Sequence, residues 1–167
     1  MKLYHGSNVV VAEPRILPPR PGHTLDFGTG FYATTSIEQA RRWVGLRQKR
    51  GEVRNGYVSC YEVDDDILTL PDLKCLRFQT ATIDWLHFVM GNRDALIPDH
   101  GYDIVAGPVA NDRVYATLTL FEIGQLDAEE TIRRLKTYTL VDQLLFHTEK
   151  ALAHLRFTGS EAVNVRQ

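Results

Sequence analysis

Residues 26–34 read Asp26-Phe27-Gly28-Thr29-Gly30-Phe31-Tyr32-Ala33-Thr34, and the reading of this stretch decides the fold. Gly28 and Gly30 allow a positive φ or a close approach of backbone to another group. The aromatic, strand-prone residues after them predict a short strand. Ser36 then serves as an N-cap, and Gln39, three residues on, matches a capping box. The helix it starts runs through Ala40, Trp43, Val44 and Leu46. Two familiar readings of the glycines fail. Asp26-Phe27-Gly28 occurs in kinase metal sites, but no His-Arg-Asp loop follows and the chain is too short. Gly28-Thr29-Gly30 is no dinucleotide fingerprint, because Ala33 stands where the third glycine belongs.

Working outward, Lys2–Tyr4 and Val9–Val11 read as extended, with His5-Gly6-Ser7 between them. Residues 14–22 hold four of the seven prolines, which makes a stiff surface loop, either a connector or a ligand lid. Tyr57–Val63 alternates like a strand. Residues 82–92 carry a helical apolar pattern with Gly91-Asn92 as its stop. Tyr102–Ala106 is a short apolar strand. Asp112 begins a helix toward Glu122 and Gly124, although Gly107, Asn111 and Asp112 could also form a site wall. Asp127 caps a further helix whose Glu129 and Glu130 suit its dipole. Residues 138–147 read as a strand, and Thr148 starts a helix through Leu155. The polar tail after Phe157 reads as frayed. Strands and helices do not alternate strictly, so the expected class is α+β.

With 167 residues the chain is expected to form one domain, 1–167. Apolar residues are 44%, charged residues 24% and the net charge −2. These values argue against a disordered or collagen-like chain and against a globally basic nucleic-acid binder. No apolar run reaches the roughly 20 residues that span a bilayer, and no signal peptide is visible. Cys60 and Cys75 make neither a disulfide framework nor a zinc cluster, so a cytoplasmic location without membrane association is expected. The histidines show no metal-ligand spacing, and no phosphate loop, zinc helix or nucleophile elbow is present. The mild net charge averages over opposite runs. Residues 41–54 carry Arg41, Arg42, Arg47, Lys49, Arg50 and Arg54, whereas 62–66 are Glu-Val-Asp-Asp-Asp. The usual explanation of such runs is a solvated face, and a phosphate or nucleic-acid contact is the alternative.

One ordered pattern remains: His5-Gly6-Ser7, then Gly28–Thr34, then Trp43 eleven residues after Tyr32, and much later Gln143 in Asp142-Gln143-Leu144-Leu145-Phe146. This pattern resembles the ADP-ribosyltransferase superfamily, in its diphtheria-toxin-like and poly-ADP-ribose-polymerase-like branch. It is also similar to a small bacterial group of toxin-like members, including at 85–93 and 102–112. The resemblance implies a split β-sheet core with flanking helices, NAD as co-substrate and no metal. It implies that Tyr32 and Trp43 stack nicotinamide, that the Gly6 backbone meets the carboxamide, and that His5 and Ser7 contact the ligand. Gly30 belongs to the implied binding segment, and Arg20 would reach the diphosphate. Aromatic faces do grip a flat cationic ring. His5, Tyr32 and Gln143 are the implied catalytic set, with nicotinamide released and one ADP-ribose transferred to a protein or nucleic acid. The toxin-like relatives further imply an antitoxin partner.

Gln143 departs from the usual glutamate. Its amide still hydrogen-bonds but carries no charge and cannot be a general base. Three outcomes stay open: transfer to an acceptor that is already nucleophilic or is activated by another residue, NAD hydrolysis, or binding of NAD or ADP-ribose without turnover. Glu149 is a candidate substitute acid, although its expected helix turns it away.

Overall fold

A computed structural model describes residues 1–18, 25–93, 100–108, 112–137 and 140–164. Its first strand, β1 (Lys2–Ser7), is followed by β2 (Phe31–Ala33) and the helix α1 (Ile37–Lys49). Next come β3 (Tyr57–Glu62), a short 3-10 turn, β4 (Cys75–Arg77), α2 (Ile83–Arg93) and β5 (Ile104–Pro108). The chain continues through α3 (Asp112–Glu122), α4 (Ala128–Leu135), β6 (Asp142–Phe146), α5 (Glu149–Leu152) and β7 (Arg156–Ala162). This is an α+β fold, as expected. Among the described residues no helix is long and apolar enough to cross a membrane.

The strands form two sheets, β1-β3-β7 and β2-β6-β5-β4. Among the described strands only β4 and β5 run parallel, and α2 lies in the crossover between them. The sheets meet at one isolated bridge, where Tyr4 and Thr34 exchange both backbone hydrogen bonds at 2.8 and 3.0 Å. Paired residues share a face, so each face continues through the bridge. On one face Leu3, Phe31, Tyr61, Leu144 and Phe146 build an apolar core. On the other face Leu145 and Val105 pack with Phe27, Trp85, Leu86 and Leu118 under α2–α4. Helix α1 covers β1 and β3.

Local chemistry accounts for most of the element ends. Ser36 Oγ accepts from Gln39 N at 3.2 Å, and Asp127 accepts from Glu130 N at 2.8 Å. Only half of the capping box forms, because Ser36 N donates to Thr34 Oγ1 at 3.1 Å instead of to Gln39. Gly124, with φ +74°, ends the segment after α3.

Several expectations need correction. The tail after Phe157 is not frayed: Arg156–Ala162 is β7, paired with β3 along its length and bulged at Cys60/Tyr61. Its polarity fits an outer strand exposed on alternate residues. Gly91-Asn92 does not stop α2, which continues through both residues to Arg93, with Asn92 Nδ2 donating to Phe88 O at 2.8 Å. Val9–Val11 is loop, α5 stops at Leu152 rather than Leu155, and the late strand begins at Asp142. Of the 14–22 loop, residues 19–22 lie outside the described ones, as do Asn111 and residues 138–139.

Candidate functional site

The site is built around the place where β1 and β2 part. Met1 exchanges hydrogen bonds with Val63, at 2.7 and 3.0 Å, and this fixes the alternation along β1. Leu3, His5 and Ser7 therefore turn their peptide groups to β3. Tyr4 and Gly6 turn theirs to the opposite edge. Tyr4 bonds Thr34 there. Two residues on, Gly6 stands opposite Tyr32, and the bridge does not extend to them. The N–H and C=O of Gly6 therefore face a gap. The same alternation on β2 turns the peptide groups of Tyr32 into it.

His5 spans this gap, with Nδ1 2.7 Å from the Tyr32 carbonyl oxygen. A carbonyl can only accept, so Nδ1 carries the proton and a neutral ring leaves Nε2 as an acceptor. The ring lies against Phe31, with centroids 4.5 Å apart. Burial pushes the imidazole pKa down, against the pull of the Tyr32 carbonyl, and the positive charge of Arg47 adds to the lowering. The neutral ring is thus favoured. In the unfolded chain His5 takes a proton below its ordinary value of 6.5, whereas in the folded chain it does so only at lower pH. Its contribution to stability is complete above 6.5 and is lost as pH falls toward the folded value. His5→Asn retains a donor and does not titrate. Denaturant melts of the two proteins should show a shallower loss of stability below pH 6.5 in the variant, and parallel curves would contradict the lowered pKa.

Gly6 is dictated by packing as well as by the gap. A Cβ there would lie 2.6 Å from the Ala40 oxygen and 2.8 Å from Val44 Cγ2, both on α1. Ser7 Oγ donates to Asn8 Oδ1 at 3.4 Å. Tyr32 is half-buried on the α2–α4 side. Its hydroxyl donates to the Gly28 carbonyl and accepts from Phe27 N at 3.3 Å. Burial first, then the Asp26 charge, pushes its pKa far up, opposed by the Phe27 hydrogen bond. The phenol stays protonated and the ring is held at its far end. Gln143 pairs with Gly107 on β5. It shares the face of Tyr32, diagonal to it across β2 and β6, a placement that puts Cβ atoms roughly 7 Å apart. Phe27 and Phe78 flank the same spot, each within 3.2 Å of where a Gly107 Cβ would be.

Trp43 lies on α1. Arg41 there forms a bidentate pair with Glu161, at 2.5 and 2.7 Å, and Gln48 donates to Val163 O at 3.1 Å. That flank therefore lies toward β7. Trp43 and Arg47 project from the opposite flank, toward the gap. Trp43 is 50% exposed and makes no ring contact among the described residues. Glu149 sits in α5, after β6 has left the gap. Arg20 lies outside the described residues. Thus His5, Gly6 and Tyr32 gather at the gap, Trp43 stands at its rim, Ser7 is on the neighbouring end of β1, and Gln143 lies across β2, level with Thr34 and on the face of Tyr32. A cavity of about 280 Å³ beside Met1, Glu62 and Arg156 lies elsewhere, and one of about 450 Å³ is lined by Phe78, Gly107, Asp142 and Leu144, around the Gln143 end of β6. Among the described residues the gap is an open edge, and no group of histidines, cysteines or acids could hold a metal.

The supports of the glycine loop were missed in the sequence. His100 Nε2 donates to Phe27 O at 2.9 Å, while its Nδ1 accepts from Tyr102 N at 3.2 Å. His147 Nδ1 donates to Thr29 O at 2.5 Å, and the two imidazoles lie 4.4 Å apart. Arg93 Nη1 reaches Asp26 Oδ1 at 3.3 Å, and both side chains are almost wholly buried. Asp26 was read only as part of a kinase-like tripeptide. An acid directly before two closely spaced glycines is the signal the sequence offers, whereas nothing local marks Arg93.

A family model described as "Protein of unknown function (DUF3990)" matches residues 1–157, and the chain belongs to that family. No curated protein matches it.

Proposed function

We propose that this chain is an NAD-dependent mono-ADP-ribosyltransferase that releases nicotinamide and acts in the cytoplasm. The observation that carries this reading is the gap between β1 and β2. There the peptide edge of Gly6 meets Tyr32, and Gln143 lies across β2 on the face that Tyr32 occupies. An amide ligand such as nicotinamide requires one acceptor and one donor, and the Gly6 peptide offers both. Tyr32 supplies a fixed aromatic face for the cationic ring. His5 Nε2, a bare acceptor, suits a ribose hydroxyl. In the reaction the N-glycosidic bond breaks and nicotinamide leaves with the bonding electrons. The acceptor's lone pair then bonds to the ribose carbon, and the acceptor's proton goes to solvent. Gln143 can hydrogen-bond a ribose hydroxyl but cannot take that proton. The acceptor must therefore be a competent nucleophile already or be activated by a group other than Gln143.

The same departure motivates a second reading, in which water is the acceptor and the chain is an NAD glycohydrolase. A bacterial toxin role with an antitoxin partner rests on the family resemblance alone. The test is incubation with NAD labelled in the adenosine half, with and without cell lysate. Label on protein or nucleic acid that depends on lysate supports transfer. Free ADP-ribose without lysate supports hydrolysis. Intact NAD in both, with measurable NAD affinity, leaves only a binding module. Tyr32→Ala should lower turnover by about 100-fold, the scale of misplacing a bound reactant. Full activity in that variant would remove the assignment.

A further inference from the structure

Apart from Trp43, which the resemblance assigns to nicotinamide, the outer face of α1 is left unexplained by the gap. Of its cations, Arg41 pairs with Glu161, and Arg47 pairs with Glu52 at 3.1 Å. Arg50 lies 4.0 Å from Glu52. Arg42, Lys49 and Arg54 have no acidic partner within 4.0 Å among the described residues. Arg42 and Lys49 stand two turns apart, roughly 10 Å, on the face away from β1. Trp43 and Leu46 lie between them in sequence, on the edge of this face that leans to the gap. The helix dipole accounts for Lys49 in the last turn. It accounts for neither Arg42 in the first half nor a half-open indole beside it.

We infer that this face docks single-stranded nucleic acid, with Arg42 and Lys49 on phosphates and the Trp43 indole against an unpaired base. Cations spaced along a groove or face follow a phosphate backbone, and an exposed aromatic ring adds stacking that any base can use. A duplex stacks its bases on one another and offers the indole nothing. An acidic peptide would match the charges and leave the ring unused. Because this flank of α1 leans to the gap, the docked strand would be the acceptor class. That last clause rests on the transferase reading, whereas the docking itself does not.

Docking is measurable without NAD. Trp85 is fully buried, so Trp43 is the tryptophan open to solvent. Acrylamide quenching of its fluorescence is followed with single strands of DNA and of RNA, roughly 12 nucleotides long, with the matching duplexes, and with poly-glutamate. Saturable protection by single strands is expected, with affinity falling log-linearly in salt. The DNA and RNA arms show which sugar is preferred. Arg42→Glu with Lys49→Glu should weaken binding at least about tenfold and lower the salt slope by about two. Trp43→Ala, its affinity read from the fluorescence anisotropy of a dye-labelled single strand because the variant lacks the quenched indole, should bind about tenfold more weakly, with Trp43→Phe recovering part. No binding at low salt, equal binding of duplex or poly-glutamate, or an unchanged affinity in Trp43→Ala would each overturn the inference. Binding without NAD turnover would remove only the transferase reading. Turnover without binding would remove only this one.

Discussion

Gly30→Ala should lower the thermal midpoint by roughly 10 °C, on a scale of about 2–4 °C per kcal/mol for a domain of this size. Gly30 has φ +154°, and a Cβ there would lie 2.4 Å from Leu145 Cδ1 and 2.5 Å from the Phe146 oxygen. Leu145 can turn, but the Phe146 oxygen belongs to the backbone of β6, which is paired on both sides. Overpacking and an unfavourable φ together cost about 3 kcal/mol or more. Gly124→Ala is the control. Its φ is +74°, and nothing lies within 4 Å of the added carbon, so only the backbone cost applies. Calorimetry of both variants separates the two terms, and equal melting would refute the contact argument. Activity should fall further than stability in Gly30→Ala, because the residue leads directly into Tyr32.

Arg93→Met should cost about 3–5 kcal/mol, the usual penalty for removing one partner of a buried ion pair. The Asp26 side chain is 3% exposed and that of Arg93 10%. The guanidinium also lies 4.8 Å from the centre of the Tyr115 ring. Without it, Asp26 keeps a buried carboxylate with less compensation, next to the loop that holds the Tyr32 hydroxyl. Joint replacement, Asp26→Leu with Arg93→Met, should cost less than the sum of the two single changes, since the ion pair is then removed as a unit. Denaturant melts of the two singles and the double measure the coupling. If the double loses the sum of the singles, the two side chains do not act as a pair.

What could be read from the sequence was local. The Ser36, Asp127 and Thr148 caps, the start of α1 and the strand Tyr57–Glu62 all depend on neighbours in the chain. What could not be read depends on partners far away. Strand β7 looks like a polar tail because its order comes from β3, nearly 100 residues earlier. Strand β4 has three residues and exists through its parallel pairing with β5. For the site, the order of His5, Tyr32 and Gln143 was visible. Gly6 was read for its backbone, and its geometry adds a second reason in the approach of α1. The His100, His147 and Arg93 supports were invisible, because no spacing rule links them to residues 26–30.

The weave of the first sheet sets a schedule for the chain as it leaves the ribosome. Strand β3 sits between β1 and β7, so the sheet draws on residues from 2 to 162. The other side of the gap waits for β6, which reaches β2 across more than 100 residues. Such long-range pairings close late and slowly. A nascent chain therefore holds His5 and Tyr32 early, but the strand that backs Tyr32 is added only once residues 142–146 have been made. The two walls of the gap are completed at different stages of synthesis by topology alone.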